Sequence, residues 1–235
     1  MAANATPAKA RNVVLVHGLF ADGSCWSEVI ARLQAAGLNA TAVQNPLTTL
    51  PEAVASAERV LARQDGPTVL VGHSFSGMIV TEAGVHPNVS ALVYVAARAP
   101  DAGEDYTALG QDISDAAGDA PGSSSTAMKD VSARRRSCAI SRATCRRRRR
   151  RCSMRCRSRS TRRCSSGKTT HAAWRSKPSY YAVSTEDRTI NPDLERFMAK
   201  RMGAKTIEVK ASHLSLISQP DEITRLILEA AGQQA

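Results

Sequence analysis

The chain has 235 residues, enough for one sizeable domain with a real hydrophobic core. No apolar run approaches the ~20 residues that a bilayer-spanning helix needs, and the opening stretch MAANATPAKAR lacks the apolar centre of a secretory signal. The expectation is therefore a soluble, cytoplasmic protein. The formal net charge is +11, yet fifteen Arg and no Asp or Glu lie between residues 131 and 163, and without them the chain would carry −4. A charge confined to one segment does not make the whole chain a nucleic-acid binder.

In chain order, the first hundred residues alternate. NVVLVHG (12–18) is a short β-branched apolar run, the mark of a buried strand. SEVIARLQAAG (27–37) carries apolar residues at helical spacing and closes on Gly. NATAVQNP (39–46) reads as a strand, and LPEAVASAERVLARQDG (50–66) as a helix with Pro in its first turn. TVLVGH (68–73) is a second buried strand, FSGMIVTEAGVHP (75–87) a helix stopped by Pro87, and ALVYVAA (91–97) a strand. After a break, SYYAVST (179–185) and TIEVK (206–210) read as strands. Helices follow at 191–203, with Asn191 as cap and Pro192 at the first position, and at 219–232. About six strands alternating with helices imply a mostly parallel sheet covered on both faces, an α/β architecture.

The stretch VGHSFSG (71–77) runs from a strand into a helix, as a G-x-S-x-G nucleophile elbow does. Such a bend strains the backbone at Ser74 and lifts its hydroxyl above the sheet edge. The flanking positions must be small; Gly72 satisfies this, while Ser76 stands where the motif has Gly. A hydroxyl needs a base, and the base needs an acid to orient it. On such a sheet both follow the Ser in chain order. His171 and His213 lie well beyond the elbow, and His213 is favoured because it sits between the last strand and the last helix. Glu186, Asp187 and Asp193 are the candidate acids; Asp187, at the strand's end, is preferred, and Asp193 falls where a carboxylate complements a helix dipole. The backbone N–H groups of Leu19, after the His17-Gly18 turn, and of Phe75 are the expected oxyanion donors.

These residues carry a resemblance. VVLVHGLFADGSCW, LVGHSFSGMIV, STEDRTINPDLERFMAKRMGA and SHLSLISQP resemble α/β-hydrolases of the group that holds plant methyl esterases, hydroxynitrile lyases and many small bacterial relatives. The resemblance covers about 1–110 and 168–235. It implies Ser74 as nucleophile, Asp187 as acid, His213 as base, and the Leu19 and Phe75 amides as oxyanion hole. It also implies a core of 1–100 and 168–235, with a cap insertion at 101–167 between the strands at 91–97 and 179–185. Neither cofactor nor metal is implied. The lyases of the group resemble one another in a Thr after the first-strand His and a Lys beside the catalytic His. Gly18 and Leu214 stand there in this chain, so hydrolysis of small or medium carboxylic esters through an acyl-enzyme is the implied activity. A carbon–carbon lyase on the same fold is the alternative.

Where cap helices are expected, the chain has an Arg- and Cys-rich run. A polyanion-binding module at 134–163 would be a non-catalytic reading, but the run lacks the aromatic interleaving of a stacking platform. Cys138, Cys145 and Cys152 recur every seven residues with no Cys-x-x-Cys pair or His, which does not suit zinc. The preferred reading is a segment translated out of frame, since GC-rich Ala and Pro codons shifted by one nucleotide yield Arg runs. Fifteen clustered cations repel and bury little, so the segment is expected to pack poorly.

Overall fold

The computed structural model describes residues 9–106, 109 and 167–233. Every expectation about 110–166, the Arg- and Cys-rich run included, lies outside the described residues. The strands are β1 (Asn12–Val16), β2 (Asn39–Val43), β3 (Thr68–His73), β4 (Val89–Val95), β5 (Ser179–Ser184) and β6 (Lys205–Val209). They form one six-stranded sheet in the order β2-β1-β3-β4-β5-β6, and every pairing is parallel. The helices are α1 (Ser27–Ala35), α2 (Leu50–Leu61), α3 (Ser76–Ala83), α4 (Pro192–Arg201), the single turn α5 (Ser215–Ser218) and α6 (Pro220–Ala230).

The sequence makes both faces of this sheet apolar, and each face takes its own helices. Side chains alternate along a strand. Val14, Val16, Leu70, Leu92, Tyr94, Tyr181 and Val183 therefore point to one core, filled by α2, α3 and α4. Val13, Leu15, Val69, Val71, Val93 and Ala182 point to the other, filled by Trp26, α1 and α6. The central strands β1, β3 and β5 are buried throughout, while β2 and β6 are half exposed and polar, as edge strands must be. Each fully buried large apolar side chain, such as Trp26, Phe75 or Leu92, contributes about 1.5–3 kcal/mol.

Chain order reverses between β1 and β3: the chain leaves β1 outward to β2, then returns to run through β4, β5 and β6. In an open parallel sheet, that switch point opens a crevice at the strands' C-terminal ends. The elbow after β3 and the His17-Gly18 turn after β1 flank it, and the loops after β5 and β6 lie along the same edge.

Helix starts follow their sequence signals. Thr49 caps α2 through the Glu52 N–H, and Asn191 caps α4 through that of Asp193, with Pro192 first in the helix. Ends were less legible. The helix expected to reach Pro87 stops at Ala83, because the chain turns through His86 to enter β4 at Val89, two residues earlier than expected. A Cβ at Gly84 would lie 2.6 Å from the Val80 carbonyl oxygen and 2.7 Å from the Ala173 Cβ. Only glycine lets this turn pack onto the short 3-10 turn Ala173–Arg175.

The chain leaving β4 and the chain returning to β5 are tied together. The Gly103 N–H donates to the Thr169 carbonyl at 2.7 Å, and the Thr169 hydroxyl donates to that of Asp101 at 3.0 Å. Arg175 pairs with Asp101, and Arg201 pairs with Glu104 while stacking on Trp174. The Trp174 indole N–H reaches the Pro100 carbonyl. Among the described residues no helix is long and apolar enough to cross a membrane.

Candidate active site

Ser74 has φ of 60°, the left-handed region that a non-glycine residue enters only under constraint. The constraint is visible on each side. The Ser74 carbonyl accepts from the Gly77 and Arg98 N–H groups, and its own N–H donates to Val95. A Cβ at Gly72 would stand 2.6 Å from Val80 Cγ2, and one at Gly77 only 1.9 Å from the Arg98 carbonyl oxygen. Both glycines are required by close approach. The requirement at Gly77 was not drawn from the sequence.

Ser76, which looked like a flaw in the motif, is fully buried. Its hydroxyl accepts from the His73 N–H at 2.8 Å and sits 2.7 Å from the Val16 carbonyl oxygen and 2.9 Å from that of His73. It ties the end of β1 to the elbow, which a glycine there would not do.

The three expected side chains meet. His213 Nε2 lies 2.8 Å from Ser74 Oγ, and His213 Nδ1 lies 2.5 Å from Asp187 Oδ2. The carboxylate leaves only one reasonable tautomer: Nδ1–H donates to Asp187, and bare Nε2 accepts from the Ser74 hydroxyl. Asp187 is buried, and its Oδ1 accepts the N–H groups of Thr189 at 2.6 Å and Ile190 at 3.1 Å. Burial alone would raise its pKa; the bond and charge of His213, with the Thr189 N–H, outweigh that and hold it below the usual carboxylate range.

The rejected candidates lie elsewhere. Glu186 is exposed, and Asp193 is exposed and pairs with Arg196. His171 is exposed and pairs with Glu82, not with Ser74. Cys25 is part-buried, and burial with the nearby Asp22 charge pushes its thiol up to about 12, so it is no nucleophile.

The loops hold these groups by backbone bonds. The Thr185 and Glu186 N–H groups donate to Val209 and Ala211, stitching the end of β5 to the end of β6. Ser184 Oγ donates to Ser215 Oγ at 2.9 Å, fixing α5 just after His213. His73 supports the base from behind, with Nε2 2.8 Å from the His213 carbonyl oxygen and the two rings 4.7 Å apart. That carbonyl can only accept, so His73 carries its proton on Nε2. Burial, then the neighbouring His213, lowers its pKa to about 3, so it stays neutral.

On the opposite wall, His17 is buried and spans its own turn. Nδ1 lies 2.9 Å from the Gly18 carbonyl oxygen, and Nε2 accepts the Asn45 N–H at 3.2 Å. A Cβ at Gly18 would lie 3.0 Å from the Ser74 Cβ, so the turn carrying Leu19 stands directly beside the hydroxyl. Phe75 precedes α3, so its N–H is one of the first-turn donors that a helix leaves without an internal acceptor.

This sheet order and this elbow agree with the comparison to known proteins. The model of the alpha/beta hydrolase family matches residues 13–226. The chain belongs to that family. A carbendazim hydrolyzing esterase from Nocardioides sp. (strain SG-4G) is 32% identical over 115 residues, covering 42% of this chain and 46% of that esterase. The chain thus aligns with about half the length of that curated relative. Among solved structures, a pyrethroid hydrolase from Sphingobium faniae JZ-2 superposes with a TM-score of 0.74 at 18% identity, covering 94% of this chain and 97% of the other. Polyneuridine aldehyde esterase gives 0.66 at 21%, covering 94% and 98%. Both share the fold.

Proposed function

We propose that Ser74, His213 and Asp187 are nucleophile, general base and orienting acid of a serine esterase acting on small or medium carboxylic esters. The observation that carries this reading is the unbroken relay, 2.8 Å from Ser74 Oγ to His213 Nε2 and 2.5 Å from His213 Nδ1 to Asp187 Oδ2. His213 takes the proton of Ser74 as the hydroxyl attacks the ester carbonyl. The developing oxyanion faces the Leu19 and Phe75 amides, each such donor being worth a few kcal/mol. His213 returns the proton to the leaving alkoxide and an acyl-Ser74 remains. His213 next deprotonates a water that attacks the acyl carbon, then gives that proton to Ser74 Oγ as its bond to the acyl carbon breaks, and the acid is released. Asp187 stays ionised and stabilises the imidazolium in both halves. In this reading 1–100 and 168–235 form the reacting core, 101–167 is a cap insertion, and the enzyme works in the cytoplasm.

Turnover of p-nitrophenyl acetate, together with labelling of Ser74 by a serine-directed phosphonate, tests it. Ser74→Ala is expected to lose about 10⁴-fold or more in kcat and all labelling. Ester turnover that survives in Ser74→Ala would refute the assignment. Cyanohydrin cleavage in place of ester turnover would move the site to lyase chemistry.

A further inference from the structure

Glu195 lies in the first turn of α4 and is completely buried. Its Oε2 accepts the Ser184 N–H at 3.0 Å. Its Oε1 meets no donor among the described residues. The Ser184 backbone that binds Oε2 also accepts the Asp187 N–H at 3.1 Å, so the turn carrying Asp187 lies against Glu195 and the Asp187 carboxylate is its charged neighbour. Two carboxylates in contact away from water cannot both ionise. Asp187 holds three N–H donors, from Thr189, Ile190 and His213, whereas Glu195 holds one. The negative charge therefore belongs on Asp187 and the proton on Glu195.

We propose that Glu195 is a positioning residue whose protonated carboxyl donates a hydrogen bond to Asp187 and holds that acid for His213. The proposal rests on the reading of Asp187 as the orienting acid. The surroundings agree. Arg196 is the nearby cation, but its guanidinium is turned outward to Asp193 and Glu208. The Tyr181 phenol is held by the Ala97 backbone, and burial pushes it and the Tyr106 phenol up, Tyr106 to about 12, so neither adds charge. Burial, then the Asp187 charge, holds the Glu195 carboxyl well above the carboxylate range. A neutral donor orients Asp187 without placing a second anion near His213.

Two measurements test this without substrate. A Glu195 that is protonated when folded gives up its proton on unfolding. Between pH 7 and 9 the unfolding equilibrium constant of the wild type, measured in urea, is expected to rise about tenfold per pH unit relative to E195Q. Parallel pH dependences would overturn the proposal. So would failure of E195Q to fold, because an amide offers the same acceptor and donor. The second measurement is the low-field proton resonance of His213 Nδ1–H. It is expected to keep its position in E195Q, whose amide still donates to Asp187, and to move in E195M, which cannot donate. Equal shifts in both variants would also overturn it. Absence of ester turnover with both results intact would remove the esterase reading and leave Glu195 where it is. With turnover present, E195M is expected to lower kcat at unchanged KM, and E195Q to restore it.

Discussion

Replacing Ser76 by alanine isolates the hydroxyl that ties β1 to the elbow. That hydroxyl accepts one buried backbone N–H, from His73, and shares its own proton between the Val16 and His73 carbonyls. Alanine keeps the volume and the helix start but leaves the His73 N–H buried and unpaired. A lost donor partner costs about 1–3 kcal/mol, and the lost bond to Val16 about 1 more. The sum, about 2–4 kcal/mol, should lower the thermal midpoint of a domain this size by about 4–16 °C. Ser76→Gly recreates the G-x-S-x-G pattern yet loses the same bonds and adds chain entropy in the unfolded state. It is therefore expected to be no more stable than Ser76→Ala. Urea unfolding of the three proteins, followed by circular dichroism with the slopes compared, reads this directly. Ser76→Ala within about 0.5 kcal/mol of the wild type would refute the argument. So would a Ser76→Gly protein more stable than the parent.

Gly77→Ala drives a methyl group to within 1.9 Å of the Arg98 carbonyl oxygen, a backbone atom that cannot swing aside. It is expected to cost about 3 kcal/mol or more and to abolish phosphonate labelling of Ser74, read by urea unfolding and mass spectrometry. His73 is neutral in the fold with its pKa near 3, against about 6.5 unfolded, so below pH 6.5 the unfolded chain binds a proton that the folded one refuses. Stability should fall by about 1.4 kcal/mol per pH unit from 6.5 toward 3, and His73→Gln should flatten that slope in urea titrations at pH 6.5 and 5. Replacing 107–166 by a short Gly/Ser linker should leave the unfolding free energy of the core, from urea titration, within about 1 kcal/mol, because Gly103–Thr169, Asp101–Arg175 and Glu104–Arg201 already close the gap. Loss of cooperative unfolding in that variant would show that the core depends on the excised stretch.

Much of the fold is legible because the signals that specify it are local. Buried parallel strands such as Val13–Val16 and Val69–Val71 are near-continuous β-branched runs, and Pro192 and Asn191 announce their helix. The convergence of the candidate site residues was legible where chain order and element order constrain them. Ser74, Asp187 and His213 each follow a strand, and parallel strands bring such loops to one edge. What stayed hidden depends on packing that no local pattern records. Glu195 reads as one more acid in a first helical turn beside Asp193, and only the rotation of α4 against β5 buries one and exposes the other. Ser76 reads as a motif defect until β1 is placed beside it. His73 reads as an elbow filler until the β6 loop lays the His213 carbonyl on its Nε2. The signal that could have found Glu195 is the apolar spacing of Leu194, Met198 and Ala199, which puts residue 195 on the buried face of the same helix.

The supports around His213 share one property: they bond without adding charge. His73 is neutral because it is buried, and it grips the backbone of residue 213 rather than its ring. The Thr189, Ile190 and Ser184 contacts come from backbone amides. In the proposed reading, a second cation near His213 would disfavour the imidazolium formed when Ser74 gives up its proton. A second anion would favour it before the reaction begins and make the imidazole a standing acid instead of a base. One carboxylate, held by neutral groups, leaves the proton free to move in both directions. That is the condition the proposed two-step acyl transfer would impose, because the same imidazole would accept a proton and return it in each half of the cycle.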